Sequence, residues 1–179
     1  EINEKMYEKI MENETMNEEE AKKTAKIVGL SAVKYGDLSN QASKDYVFDI
    51  DRFISFEGNT GPYILYTIVR MKSIIAKYGA DASGFDIPVA ETESEKSLQL
   101  ELAKFNSAIL SAYNETAPHK ICAYIYDLAN AFNHFYHETK ILAQEDENKK
   151  GGYIRLLTLT KDVLECCIHL LGFEAPERM

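Results

Sequence analysis

Two tyrosines and an arginine recur at helical spacing in the middle of the chain. Tyr63, Tyr66 and Arg70 fall within a stripe about 60° wide if this segment is a helix that turns about 100° per residue. Phenol rings stack on unpaired bases at about 1 to 3 kcal/mol each, and a guanidinium offers a forked donor to a phosphate or a base edge. The stripe could therefore contact a single-stranded nucleic-acid loop. Tyrosines on a helix flank are also common as half-buried spacers whose hydroxyls face water, and spacing alone leaves both interpretations open.

A second group of chemically capable residues is His134, His137 and Glu138. A histidine pair three residues apart on a helix can ligate a metal. The zinc-protease pattern needs two histidines four apart with a glutamate between them, and this group does not meet it. We therefore expect solvated polar residues and no metal site. A metal-dependent helical enzyme stays open as an alternative, and it predicts bound metal in elemental analysis of the purified chain.

The elements for nucleotide chemistry are absent from the sequence. It contains neither a His-x-Gly-His motif nor a glycine-rich phosphate cradle, so adenylate formation has no visible site. Asp49 and Asp51 are two residues apart and point to different sides of a helix, which excludes a close acid and base pair and suggests caps at helix ends. We predict no catalytic residue and no cofactor in these 179 residues.

Charge limits how nucleic acid could be bound. The formal net charge is -9, which argues against a protein that coats nucleic acid by neutralising phosphates. Much of the excess negative charge lies in residues 1 to 20. This segment contains eight glutamates and only two basic residues, Lys5 and Lys9, so its net charge is -6. Any contact with nucleic acid must therefore be local. A rival interpretation makes this acidic segment the binding surface of a helical protein-protein interaction module.

The remaining bulk properties indicate an ordinary soluble chain. Cys122, Cys166 and Cys167 form neither a disulfide framework nor a spaced zinc pattern, and we interpret them as small apolar residues. No apolar run approaches the roughly 18 residues of a membrane span, and the chain opens without a secretory signal. We expect a cytoplasmic monomer that binds neither membranes nor DNA.

The elements that position these residues are predicted to be helices only, because no stretch shows sustained two-residue alternation. Asn17 with Glu20, and Thr60 with Pro62, have the types that open helices, and Gly172 is a typical left-handed stop. Irregular loops are predicted at 79 to 92 and 144 to 150. The predicted helices are 1 to 13, 17 to 38, 49 to 56, 60 to 77, 94 to 113, 118 to 142 and 151 to 171.

Four segments of the sequence resemble, in order, parts of the arginyl-tRNA synthetase family. Residues 28 to 39, Val-Gly-Leu-Ser-Ala-Val-Lys-Tyr-Gly-Asp-Leu-Ser, and residues 44 to 52, Lys-Asp-Tyr-Val-Phe-Asp-Ile-Asp-Arg, are similar to the region after the family's ATP-handling lysine loop. Residues 55 to 63, Ser-Phe-Glu-Gly-Asn-Thr-Gly-Pro-Tyr, resemble the entry into its DALR-type anticodon-binding domain. The chain end, Leu170 to Met179, is similar to the family's terminal sequence.

This resemblance implies an all-α class I anticodon-binding bundle. Residues 1–58 would be a helical segment that follows the catalytic core of the parent enzyme, and residues 59–179 the DALR-type bundle. The parent would attach arginine to its cognate tRNA with ATP and Mg, while this region would grip the anticodon stem and loop and be inactive alone.

The resemblance also implies site residues. Tyr63, Tyr66, Arg70, Tyr136 and Met179 match family positions that lie near the anticodon loop. The loop at 79 to 92 corresponds to one that helps to accommodate displaced anticodon bases. Two positions depart from the family's pattern, since Leu65 replaces a common glutamine and Lys72 a usual second arginine. A lysine keeps a phosphate contact but loses bidentate geometry.

Overall fold

The computed structural model describes residues 1–12 and 16–179, and every regular element within those ranges is an α-helix. The predicted all-α class is confirmed. In the same ranges, no helix is both long enough and apolar enough to cross a bilayer. The helices are α1 Ile2–Met11, α2 Glu18–Leu38, α3 Ile50–Phe53, α4 Gly61–Tyr78, α5 Glu93–Ala103, α6 Phe105–Asn114, α7 Pro118–Glu138 and α8 Glu147–Leu170. Residue 13, the predicted end of the first helix, lies outside the described residues.

The two predicted helix openings are confirmed by their hydrogen bonds. The Asn17 side chain accepts from the Glu20 amide at 3.0 Å, and the Thr60 hydroxyl accepts from the Tyr63 amide at 3.2 Å. Pro62 lies in the first turn of α4, where a missing amide donor costs nothing. The Thr60 cap fixes where α4 begins, and with it the direction of every side chain that follows.

The prediction of one helix over residues 94 to 113 is wrong, because the helix is interrupted at Lys104. The Lys104 amide bonds to the Glu101 carbonyl, three residues back, at 3.1 Å, so the last turn of α5 tightens before α6 begins. Such tightened turns keep the apolar spacing nearly unchanged, which hides them from a periodicity argument. Both α5 and α6 pack on α7.

Three boundaries also differ from the predictions. α3 is only one turn long, Ile50–Phe53, and α7 ends at Glu138 rather than near residue 142. α8 starts at Glu147, so residues 147 to 150 are helical and the predicted loop there is too long. The Asp146 carboxylate caps α8 by accepting from the amides of Asn148 and Lys149 at 2.9 and 3.1 Å. The predicted start at residue 151 therefore falls inside the helix, at the first of two adjacent glycines, Gly151 and Gly152.

α4 is the central element, because it packs on α2, α7 and α8. Four of its apolar side chains are completely buried: Ile64, Leu65, Ile68 and Met71. Complete burial of such a side chain contributes about 1.5 to 3 kcal/mol. Leu65 therefore serves the core at the position where a glutamine is common in the family. A helix held this firmly offers a rigid base for the residues on its flank.

The loop at residues 79–92 packs onto α8 at the two interior glycines. A Cβ atom on Gly151 would collide with the Phe85 ring, and one on Gly152 would lie 2.5 Å from the Asp86 carbonyl oxygen and 2.8 Å from Pro88 Cδ. Glycine inside a helix normally costs about 1 kcal/mol. Here it allows the loop backbone to approach the helix closely, which fixes an otherwise irregular segment.

A buried carboxylate closes the other end of this loop. Glu95 is only 3% exposed, accepts from the Tyr153 hydroxyl at 2.5 Å and from the Glu91 amide at 2.6 Å, and completes a capping box with Thr92. Burial raises the pKa of Glu95, but these hydrogen bonds to its charged form outweigh burial and hold the pKa below its ordinary value. Burial raises the pKa of Tyr153, and the hydrogen bond to Glu95 adds to this effect, so that its pKa is about 12.

Replacing Gly152 with alanine is expected to destabilise the fold, although alanine is the better helix former. The new methyl group meets a backbone carbonyl that cannot move without shifting the loop, so we expect a loss of about 1 to 3 kcal/mol in urea unfolding. Gly84→Ala is the control, since Gly84 lies in the same loop with open space around it, and should be neutral. A stabilised Gly152→Ala variant would contradict the packing described here.

Glu95→Gln is expected to change the pH dependence of stability. A depressed folded-state pKa contributes stability that is present above the unfolded pKa, near 4.5, and is lost as pH falls through the folded value. At pH 7 the variant should lose about 1 to 3 kcal/mol of unfolding free energy, and its difference from wild type should shrink below about pH 4.5. The exposed Glu93→Gln should change little. Parallel curves for wild type and Glu95→Gln would refute a charged Glu95.

Candidate nucleic-acid interface

The stripe predicted on α4 lies on the flank of the buried helix. Tyr63 and Arg70 are partly buried, and Tyr66 is 42% exposed. The Thr60 cap and the apolar face of α4 set this orientation, because both fix the rotation of the helix. An aromatic ring and a cation are thus presented to solvent from a rigid backbone.

Helix α7 brings a further ring to the same place. Phe132 and Phe135 are completely buried, and Tyr136 stacks on Phe132 with a centroid distance of 6.0 Å and an interplanar angle of 27°. Tyr136 remains 37% exposed, so its ring is anchored by Phe132 and still reaches the solvent. Because Tyr136 follows the buried Phe132 by four residues, helical geometry places it one turn along the same side of α7.

The Arg70 guanidinium joins the two helices. Its central carbon lies 4.8 Å from the Tyr66 ring centroid and 5.2 Å from the Tyr136 centroid. Cation-π contacts at partly exposed sites contribute about 0.5 to 1 kcal/mol or more each. We call Tyr63, Tyr66, Arg70 and Tyr136 the Tyr-Arg cluster. Four of the five residues implied by the family resemblance therefore lie together, although their role in binding remains a prediction.

Two asparagines on α7 connect the cluster, and the sequence analysis missed both. Asn133 Oδ1 accepts from Arg70 Nη1 at 2.7 Å, and Asn133 Nδ2 donates to the Tyr63 hydroxyl at 2.9 Å. The Tyr63 hydroxyl in turn donates to Asn130 Oδ1 at 2.6 Å. Asparagine is unfavourable in the interior of a helix. Two asparagines three residues apart, far from a helix end that they could cap, therefore indicated that their side chains make tertiary hydrogen bonds.

The phenol of Tyr63 is protonated in this network. Burial raises its pKa above the ordinary value, against the opposing effect of the hydrogen bond from Asn133. Its ring meets the Tyr126 ring edge-on at 5.8 Å. A neutral phenol fixed by two hydrogen bonds and one ring contact has little freedom to move, so this side of the cluster is preorganised.

Met179 is the fifth predicted residue, and it lies with the chain end against the hydrophobic core. No hydrogen bond or ring contact joins it to the Tyr-Arg cluster among residues 1–12 and 16–179. Lys72 holds the preceding residues, since its ammonium contacts Glu177 at 2.9 Å, Glu165 at 3.1 Å and the Pro176 carbonyl at 3.4 Å. Arg178 pairs with Glu20 of α2.

The contacts of Lys72 differ from the expectation that it binds phosphate. An ammonium has three donors, and three protein oxygens surround this one. Burial lowers the Lys72 pKa, but the hydrogen bonds from its ammonium to Glu177 and Glu165 outweigh burial and raise it overall. The residue therefore ties the chain end to α4, and Arg70 is the cation available at the cluster.

The other polar residues singled out in the sequence make separate surface contacts. His134 lies 3.6 Å from Glu138 on the surface of α7, and the described ranges contain no group of three metal-ligating side chains. Asp49 caps α3 by accepting from the Arg52 amide at 3.2 Å. Asp51 instead pairs with Lys5 at 2.7 Å, which is a surface ion pair between α1 and α3.

Comparison with known proteins relates this geometry to a family. Residues 64–179 match the family model described as DALR anticodon binding domain, and residues 1–50 match the one described as tRNA synthetases class I (R), catalytic domain. The chain is 62% identical to an arginine-tRNA ligase of Agathobacter rectalis over its whole length, and 53% identical to one of Alkaliphilus oremlandii over 99% of it. The resemblance drawn from the sequence motifs is confirmed.

A solved structure shows the same arrangement of helices. The arginyl-tRNA synthetase of Thermus thermophilus matches 99% of this chain with a TM-score of 0.87 and 30% identity, and the match covers 32% of that chain. The chain likewise spans 32% and 31% of the two curated relatives. It therefore corresponds to about a third of those proteins. The predicted division between residues 58 and 59 falls between the two matched ranges and stays a prediction.

Lys72→Met is expected to loosen the chain end without unfolding the bundle. Losing the two ion pairs and one hydrogen bond should cost about 1 kcal/mol and expose the last residues more often. Carboxypeptidase should then release Met179 several times faster than from wild type. Lys77→Met, at an exposed position of the same helix, is the matched control. Equal release from Lys72→Met and Lys77→Met would show that Lys72 does not hold the terminus.

Proposed function

The chain belongs to the DALR anticodon binding domain family, and on that premise we propose that it recognises the anticodon loop of an arginine-accepting tRNA. The Tyr-Arg cluster is the observation that carries this proposal. Anticodon nucleotides are single-stranded, so their bases can leave the stack and pack on aromatic side chains. The cluster offers two exposed rings and a cation on two firmly packed helices, which suits such bases.

The proposed roles follow from what each side chain has free. Tyr66 and Tyr136 stack on unpaired bases, because each ring is partly exposed to solvent beside Arg70. Arg70 donates one hydrogen bond to Asn133, and its remaining N–H groups donate to a phosphate or a base edge. Tyr63 supports the platform through its ring and hydroxyl. Met179 contributes through its soft side chain, as the family resemblance implies.

The loop at 79–92 is proposed to adjust to the displaced bases. It borders an open cavity of about 510 Å³, lined by apolar residues such as Ile87 and Leu159 and by the Arg155 side chain. The Arg155 guanidinium donates to the Ser83 carbonyl of this loop. Two carboxylates, Asp81 and Asp162, line the cavity as well, so a flat base can pack on the apolar walls while its polar edge meets groups of either charge.

The activity of the whole protein is proposed from its relatives, which are arginine-tRNA ligases. In that proposal, sequence outside these residues binds ATP with Mg and arginine and joins the amino acid to tRNA. This chain supplies recognition only and has no activity alone. We also propose that it works as a monomer in the cytoplasm, with no affinity for DNA or membranes.

Mutation of the exposed rings tests the proposed site. We expect Tyr66→Ala combined with Tyr136→Ala to weaken binding of an arginine-accepting anticodon stem-loop at least about 10-fold, since each stacked base contributes about 1 to 3 kcal/mol. Fluorescence anisotropy with labelled RNA measures the dissociation constant. Tyr113→Ala removes an 81% exposed ring from α6 and should have no effect.

Two results would argue against this function. Equal affinity of the double variant and wild type would remove the site assignment. A complete lack of binding by wild type at low salt would favour the protein-interaction module suggested by the acidic residues 1 to 20. Binding to phosphates should give only a shallow salt dependence, because the chain carries a net charge of -9 and the Tyr-Arg cluster holds a single cation, Arg70.

A further inference from the structure

The hydrogen bonds around the Tyr-Arg cluster have a fixed direction, and Arg70 sets it. A guanidinium can only donate, so the atom of Asn133 that faces Arg70 Nη1 at 2.7 Å must be its carbonyl oxygen. The amide nitrogen of Asn133 therefore faces the other way. It donates to the Tyr63 hydroxyl at 2.9 Å and to Thr67 Oγ1 at 3.3 Å.

This direction passes through Tyr63 to Asn130. Because the Tyr63 oxygen accepts from Asn133, its own proton is free to donate, and it does so to Asn130 Oδ1 at 2.6 Å. The carbonyl of Asn130 is thereby turned toward the cluster and its NH₂ group away from it. Within the part of the chain that the structure describes, no acceptor bonds to this NH₂ group, and Asn130 is partly exposed.

We propose that the side-chain amide of Asn130 is a further RNA contact that determines specificity, donating to a carbonyl oxygen or ring nitrogen of an unstacked base. This inference rests on the proposed function. Tyr126 lies four residues earlier on the same face of α7, and its ring packs edge-on against Tyr63. Flat aromatic walls beside a neutral donor suit a base edge better than a phosphate, for which Arg70 carries the charge.

Asn133 is the positioning residue in this arrangement. It does not need to touch RNA. Because Arg70 can only donate, Asn133 has one orientation, which fixes the direction of the Tyr63 hydroxyl and then the orientation of the Asn130 amide. Without it, the Tyr63 hydroxyl could rotate and the Asn130 amide could present either end. Asn133→Leu should therefore reduce discrimination between bases, although every group proposed to touch RNA is still present.

Asn130→Asp tests the contact with a minimal change. Aspartate has nearly the same shape and keeps an oxygen for the Tyr63 hydroxyl, but it replaces the NH₂ donor with an acceptor. We expect binding of an arginine-accepting anticodon stem-loop to weaken at least about 10-fold, as for loss of a base-edge hydrogen bond. The affinity ratio between this loop and loops with single anticodon changes should fall as well. Asn106→Asp makes the same charge change at an exposed site on α6 and should stay within about twofold of wild type.

The outcomes separate this inference from the function on which it rests. If wild type does not prefer the anticodon stem-loop to an unrelated hairpin, the proposed function fails. If wild type is selective but Asn130→Asp behaves like Asn106→Asp, only the role of Asn130 is overturned. A uniform loss for every loop, with the wild-type ratio kept, would indicate a phosphate contact and overturn the base-edge assignment.

A measurement on the unmodified protein guards against a folding defect in the variants. The side-chain amide resonances of Asn130 in ¹⁵N-labelled wild type should shift when the anticodon stem-loop is added, because a new acceptor changes their surroundings. The amide of Asn106 should not shift. Unchanged Asn130 resonances at saturating RNA would contradict the proposal whatever the variants do.

Discussion

A guanidinium that can only donate hydrogen bonds orders the contact between α4 and α7. Arg70 fixes the amide of Asn133, which fixes the Tyr63 hydroxyl, and the chain of bonds ends at Asn130. The same guanidinium lies over the rings of Tyr66 and Tyr136. One side chain thus sets both the polar and the aromatic parts of the surface. A lysine would not replace it, because an ammonium has neither the planar face nor the forked geometry.

This arrangement would let a chain with a net charge of -9 carry out the proposed RNA recognition. Bulk attraction is not available, so affinity must come from a few groups that are already in place before binding. Preorganisation reduces the entropy lost when RNA binds, and the buried core of α4 supplies the rigidity it needs. Lys72, another cation on α4, instead forms ion pairs that hold the chain end. The interface is therefore local, and most of the surface is free to remain acidic.

Much of this structure could be predicted from the sequence, and the exceptions have physical causes. Caps such as Asn17 and Thr60 gave helix starts, because a cap is a local interaction between residues three apart. The break at Lys104 was missed because a tightened turn leaves the apolar spacing nearly intact. The start of α8 was misplaced because Gly151 and Gly152 lie inside the helix for a reason that no local pattern records. They leave space for a loop that is 60 residues or more away in sequence. Periodicity likewise placed three cluster residues on one stripe, whereas the asparagines that connect the helices depend on tertiary contacts.

The central claim is that unstacked nucleotides bind on the Tyr-Arg cluster, and fluorotyrosine NMR tests it most directly. With 3-fluorotyrosine at every tyrosine, the resonances of Tyr66 and Tyr136 should shift when an arginine-accepting anticodon stem-loop is added. Those of the buried Tyr153 and of the exposed Tyr113 on α6 should stay in place. Shifts at Tyr113 with none at Tyr66 and Tyr136 would contradict the account, because the RNA would then bind elsewhere on the molecule.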